Sequence, residues 1–93
     1  FIILKDKMTE GKRREERDRG ARAQAILKDP LVVEALETLE QQYIDAWKTS
    51  PNRDEDGRER IYLLMKSLEV FKGHLISVVE TGKLADRELS KKF

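Results

Sequence analysis

A chain of 93 residues with 39% hydrophobic and 40% charged side chains has room for one domain with a thin core, charged outside and apolar along single helix faces. It contains no cysteine, which excludes thiol chemistry, disulfides and Cys-based zinc sites, and no apolar run nears the roughly 18 residues that cross a bilayer. The formal net charge of +1 conceals a mosaic: residues 1–28 hold nine Lys or Arg against five Asp or Glu, residues 29–50 one against five, and residues 83–93 four against two. Blocks of opposite sign steer complementary surfaces together at low salt, or tack one part of an oligomer to another.

The first seven residues, Phe-Ile-Ile-Leu-Lys-Asp-Lys, differ from the polar segment after them. Met8-Thr9 makes a reasonable translation start, so residues 1–7 read as an upstream reading-frame extension or an expression remnant. The other reading is a short edge strand or a sticky arm on a neighbour. Residues 8–28 read as an Arg-rich N-terminal helix or arm, with Lys12, Arg13, Arg14, Arg17, Arg19 and Arg22 interleaved with Glu15, Glu16 and Asp18. Several of these opposite charges stand three or four apart, which supports a helix modestly. Gly20 weakens its middle by about 1 kcal/mol relative to Ala, after which Ala21, Ala23, Ala25, Ile26 and Leu27 restore a partly apolar face. A segment of this kind is either a solvated, salt-bridged helix or a phosphate-binding arm. No aromatic residue interleaves the arginines to stack on bases.

Asp29-Pro30 is the clearest punctuation: Asp caps a helix start and Pro fits its first turn. The following helix, about 30–49, carries Val32, Leu36, Leu39, Tyr43 and Trp47 at steps of four, three, four and four, a stripe widened by Val33 and Ile44. Residues 49–57 are rich in turn formers and read as a loop. The next helix, about 55–81, has a heptad seam in which Ile61, Leu68 and Leu75 alternate with Leu64, Phe71 and Val78. Gly82 reads as the left-handed residue just past its end, and residues 83–93 as a frayed tail. The fold expected is all-α: an antiparallel helical hairpin over residues 29–82 behind an Arg-rich N-terminal helix. Tyr62, Met65, Ile76 and Val79 flank the seam and make its apolar arc wider than one partner helix needs, so an oligomer is expected. The residues expected to form the core or oligomer seam are Ile61, Leu64, Leu68, Phe71, Leu75, Val78, Tyr43 and Trp47.

The chemical inventory is short. His74 is the only histidine, so no histidine pair or His-based triad can be assembled within one chain. Asp54, Glu55 and Asp56 lack the alternating ligands and terminal Glu of a calcium-binding loop. There is no Gly-rich phosphate loop and no nucleophile elbow. No catalytic, cofactor or metal residue is assigned, and a non-enzymatic protein without a small-molecule substrate or membrane partner is expected. Gly73, in mid-helix, suggests either a close helix approach or tolerance of one weak position.

The stretch Ala21-Arg22, Asp29-Pro30-Leu31, Glu34-Ala35, Leu39-Glu40 and Tyr43-Ile44-Asp45-Ala46-Trp47, followed by Arg58-Glu59-Arg60-Ile61-Tyr62 and Gly82-Lys83-Leu84-Ala85, resembles short uncharacterised proteins of tailed bacteriophages and prophages. That resemblance covers residues 21–85 and implies a phage-encoded helical virion or packaging accessory, in the host cytoplasm or the virion, assembling with itself or with other phage proteins. An Arg-rich arm beside a helical hairpin is also similar in outline to small terminase subunits, although their usual DNA-binding domain is missing. In that alternative Arg13, Arg14, Arg17, Arg19 and Arg22 contact nucleic acid.

Overall fold

A computed structural model describes residues 9–91, and these form three α-helices and no strand: α1 (Glu10–Lys28), α2 (Pro30–Thr49) and α3 (Glu55–Ser90). The expectation for residues 1–7 lies outside the described residues. Each helix start has a local cause. The Thr9 hydroxyl accepts the Lys12 N–H at 3.1 Å before α1. The Asp29 carboxylate accepts the Leu31 and Val32 N–H groups at 2.9 and 3.3 Å, with Pro30 in the first helical position of α2. The Asp54 carboxylate accepts the Gly57 N–H at 3.0 Å as α3 begins. In each case a side-chain oxygen satisfies an amide that the helix leaves without a partner.

The described residues form two compact units. Residues 9–26 and 75–91 make the first, and Leu27–His74 the second. In the first unit, α1 meets the C-terminal part of α3 at two glycines. A Cβ on Gly20 would lie 2.7 Å from the Gly82 Cα and 3.2 Å from the Val78 carbonyl oxygen; one on Gly82 would lie 2.7 Å from the Gly20 Cα and 3.0 Å from the Glu16 carbonyl oxygen. The two backbones therefore touch, with no space for a side chain on either. Ala23, Ala85 and Leu89 are buried around this contact.

Two expectations change here. Gly82 does not end a helix: no described glycine has positive φ, and α3 continues to Ser90. Residues 83–90 are accordingly helical rather than frayed, because Ala85 and Leu89 are buried and hold the last two turns down. Of the two readings of Gly73, tolerance of one weak position fits, since a Cβ there would meet nothing within 4 Å; the close helix approach occurs at Gly20 and Gly82. Gly73→Ala should thus stabilise the protein by about 1 kcal/mol through helix propensity alone. Chemical denaturation checks this, and a loss of stability would contradict the open space at that position.

In the second unit, α2 and the N-terminal part of α3 are joined at two levels. Glu40 pairs with Lys72 at 3.6 Å, and Trp47 stacks under Arg58. Of the α3 residues in this unit, Gly57, Arg58, Ile61, Met65, Leu68 and Lys72 are half-buried, the last four at steps of four, three and four. Leu64 and Phe71 remain 46% and 56% exposed. The heptad seam therefore divides within this unit: Ile61 and Leu68 turn inward, joined by Met65 and the Lys72 stem, while Leu64 and Phe71 face outward. Lys72 serves this inward row by covering apolar surface with its methylenes while its ammonium reaches Glu40.

Candidate functional site

The expected nucleic-acid residues all lie on α1, and most are engaged by acids of the same helix. Arg14 Nη2 donates to Glu10 Oε2 at 3.4 Å, Arg17 Nε donates to Asp18 Oδ1 at 3.3 Å, and Arg19 reaches Glu16 at 3.6 Å. Lys12 lies 3.5 Å from both Glu15 and Glu16. Arg13 and Arg22 make no ion pair among the described residues. Exposed pairs of this kind contribute only a few tenths of a kcal/mol each, but they reduce the positive potential that α1 offers to a phosphate. Arg17 and Gln24 of α1 and Lys83 and Asp86 of α3 also line an open depression of about 220 Å³ beside the Gly20–Gly82 contact. It is shallow, and its polar groups carry both signs.

The expected seam aromatics sit on α2, where Tyr43 and Trp47 are both half-buried. Trp47 is held from above by a residue that periodicity had not singled out. The Arg58 guanidinium lies 3.9 Å from the centre of the Trp47 ring, and its Nη1 donates to Ser50 Oγ at 2.7 Å and to the Trp47 and Ser50 carbonyl oxygens at 3.3 Å. The Ser50 hydroxyl in turn donates to the Trp47 carbonyl at 2.6 Å. A single cation of α3 thereby caps the carbonyl end of α2, where the helix dipole favours positive charge, and covers the indole face. The sequence signal was slight: one Arg in the first turn of a helix whose other early charges are mostly acidic. Arg58→Ala should cost about 1–2 kcal/mol, and Arg58→Lys should recover only part of that, because an ammonium lacks the planar fork that stacks and donates together. Urea titrations of the two variants check the order, which would be wrong if Lys matched Arg.

Among the described residues, no group of three or more His, Asp or Glu side chains is placed to hold a metal ion, and no helix is long and apolar enough to cross a membrane. His74 is exposed on α3. No family model, curated protein or solved structure matches the chain.

Every buried residue belongs to the first unit: Gly20, Ala23, Gly82, Ala85 and Leu89. The second unit, Leu27–His74, has none, although it contains the larger apolar side chains. Leu31, Val33, Leu39, Tyr62, Leu63, Leu64, Val70 and Phe71 are all exposed there. Single exposed hydrophobics are ordinary; this unit exposes eight of them and buries none.

Proposed function

We propose that the chain is a non-enzymatic helical assembly protein whose 29–82 region acts as an antiparallel hairpin that completes its core against another protein. The observation that carries this reading is the absence of any buried residue in Leu27–His74 while eight large apolar side chains of that unit stay exposed. Two helices cannot enclose a core by themselves, and a chain of this size without disulfides commonly gains the missing burial by association. The resemblance of residues 21–85 to phage proteins gives the context: a virion or packaging accessory that assembles with itself or with other phage proteins. Light-scattering mass measured from low to high micromolar concentration tests the assembly. A mass above that of one chain, rising with concentration, is expected. A strict monomer throughout that range that also exposes no surface to a hydrophobic dye would remove the basis of the reading.

A second reading, nucleic-acid binding through α1, is favoured by Arg13 and Arg22, which make no ion pair among the described residues, so that no paired carboxylate offsets their potential. Titration with duplex and single-stranded DNA at two salt concentrations separates it from the first. Phosphate contacts require affinity that falls steeply with salt and weakens when Arg13, Arg14, Arg17, Arg19 and Arg22 are replaced by Ala. No binding at low salt would eliminate it.

A further inference from the structure

Two instructions compete at the end of α3. Gly82-Lys83-Leu84 has the composition of a helix end, because glycine enters the left-handed conformation without a Cβ penalty and Leu84 can supply the apolar contact that accompanies such a cap. The helix nevertheless passes through Gly82, which has no positive φ, and continues to Ser90. What carries it onward lies outside α3. Ala85 and Leu89 are 5% and 7% exposed, Ala23 of α1 is 4% exposed, and the Gly20 and Gly82 backbones are too close for a Cβ on either. Local support is one-sided. Within α1 the Thr9 cap, the pairs of Lys12 and Arg19 with Glu16, and the pair of Arg14 with Glu10 favour helix without any contact to α3. Past Gly82 the same kind of support comes, among the described residues, from Glu88 with Lys91 alone, at 3.8 Å.

We infer that the end of α3 is a conformational switch set by α1. With α1 docked, α3 runs to Ser90. With α1 undocked, α3 stops at Gly82 in a left-handed cap, and residues 83–90 unwind. Docking selects between the two ends because the burial of Ala85 and Leu89 exists only in the docked state, and only that state gives up the conformational freedom of Gly82. Gly82 therefore has two uses, as the contact point in one state and as the helix stop in the other. The coupling is reciprocal. A ligand that takes hold of α1 only when it is undocked releases residues 83–90, and one that holds those residues helical favours the docked arm.

Two substitutions that make the same clash differ at the switch itself. Gly20→Leu places a Cβ 2.7 Å from the Gly82 Cα, which forces α1 away while α3 keeps its sequence. Gly82→Ala places a Cβ 2.7 Å from the Gly20 Cα and also forces α1 away, but it removes the residue that accepts the left-handed cap. Broadening of the Ala23 and Ala85 methyl signals by a soluble paramagnetic probe reports undocking, and NMR Cα secondary shifts report helix. Both variants should expose the methyls. In Gly20→Leu the helical shifts of residues 83–90 should fall by at least half while those up to Thr81 persist, and in Gly82→Ala they should stay near the wild-type values. Helix kept over residues 83–90 in Gly20→Leu, or lost equally in both variants, would overturn the switch, as would methyls that stay shielded in both. If neither variant folds, a urea titration of the wild-type chain decides. Exposure of the Ala23 methyl and loss of helix over residues 83–90 should then follow one curve that precedes the melting of α2. Two separate curves, or one curve shared with α2, would overturn the switch.

Discussion

Gly82→Val should cost the protein about 2–3 kcal/mol. The Cβ alone would sit 2.7 Å from the Gly20 Cα and 3.0 Å from the Glu16 carbonyl oxygen, and both are backbone atoms that no rotamer change can move. Overpacking of this kind costs roughly 1–3 kcal/mol. To relieve it, α1 and the end of α3 must separate, which uncovers Ala23, Ala85 and Leu89, the hydrophobic residues that are buried. Helix propensity acts in the opposite direction, since Val is better than Gly in a helix interior by a few tenths of a kcal/mol. The steric term wins by several-fold. Thermal unfolding at fixed protein concentration should fall by roughly 10 °C or more on the usual size scaling. An unchanged or higher midpoint would show that the two backbones do not touch. Gly73→Ala, expected to stabilise, is the matched control: the two glycines lie nine residues apart on the same helix, and their responses should have opposite signs.

Leu68→Asp and Phe71→Asp should separate in the same manner. Leu68 lies in the half-buried row against α2, and a carboxylate there loses apolar contact and hydration together, a change of about 3 kcal/mol. Phe71 points outward at 56% exposure, and a carboxylate there should change the stability of the single chain by less than about 1 kcal/mol. Circular dichroism and urea titration at low concentration, where association contributes least, distinguish the two. A fully helical, stable Leu68→Asp chain would remove the inward row. Equal loss of structure in both variants would mean that the packed face is centred on the heptad seam and not beside it.

The contrast between these residues shows how far the sequence could be read. Asp29-Pro30 placed the start of α2 because capping and the fixed φ of proline act within one turn, and the loop with Asp54 placed the start of α3 for the same reason. The choice between Leu64 with Phe71 and Met65 with Lys72 was not legible. Apolar residues occur on both sides of the Ile61, Leu68 and Leu75 row, so periodicity permits either, and Glu40 reaching Lys72 from α2 is a contact between distant parts of the chain. Arg58 was missed for a similar reason, since its value lies in meeting Trp47 and Ser50 across the loop.

Gly82 marks the boundary most clearly. A Gly followed by Lys-Leu after a long apolar run has the composition of a helix end, and local rules assign it the left-handed cap. The helix continues through it because Gly20, on another helix, packs directly against its Cα. Composition, charge blocks, capping residues and helical period, all effects within a few residues, determined by sequence alone that the chain is helical, where α2 lies and that α3 has more apolar surface than one partner uses. Which face of α3 turns inward, that α3 runs on to Ser90, and that two glycines form a contact rather than two weak points were decided by tertiary structure, because each depends on the surface that a remote helix presents.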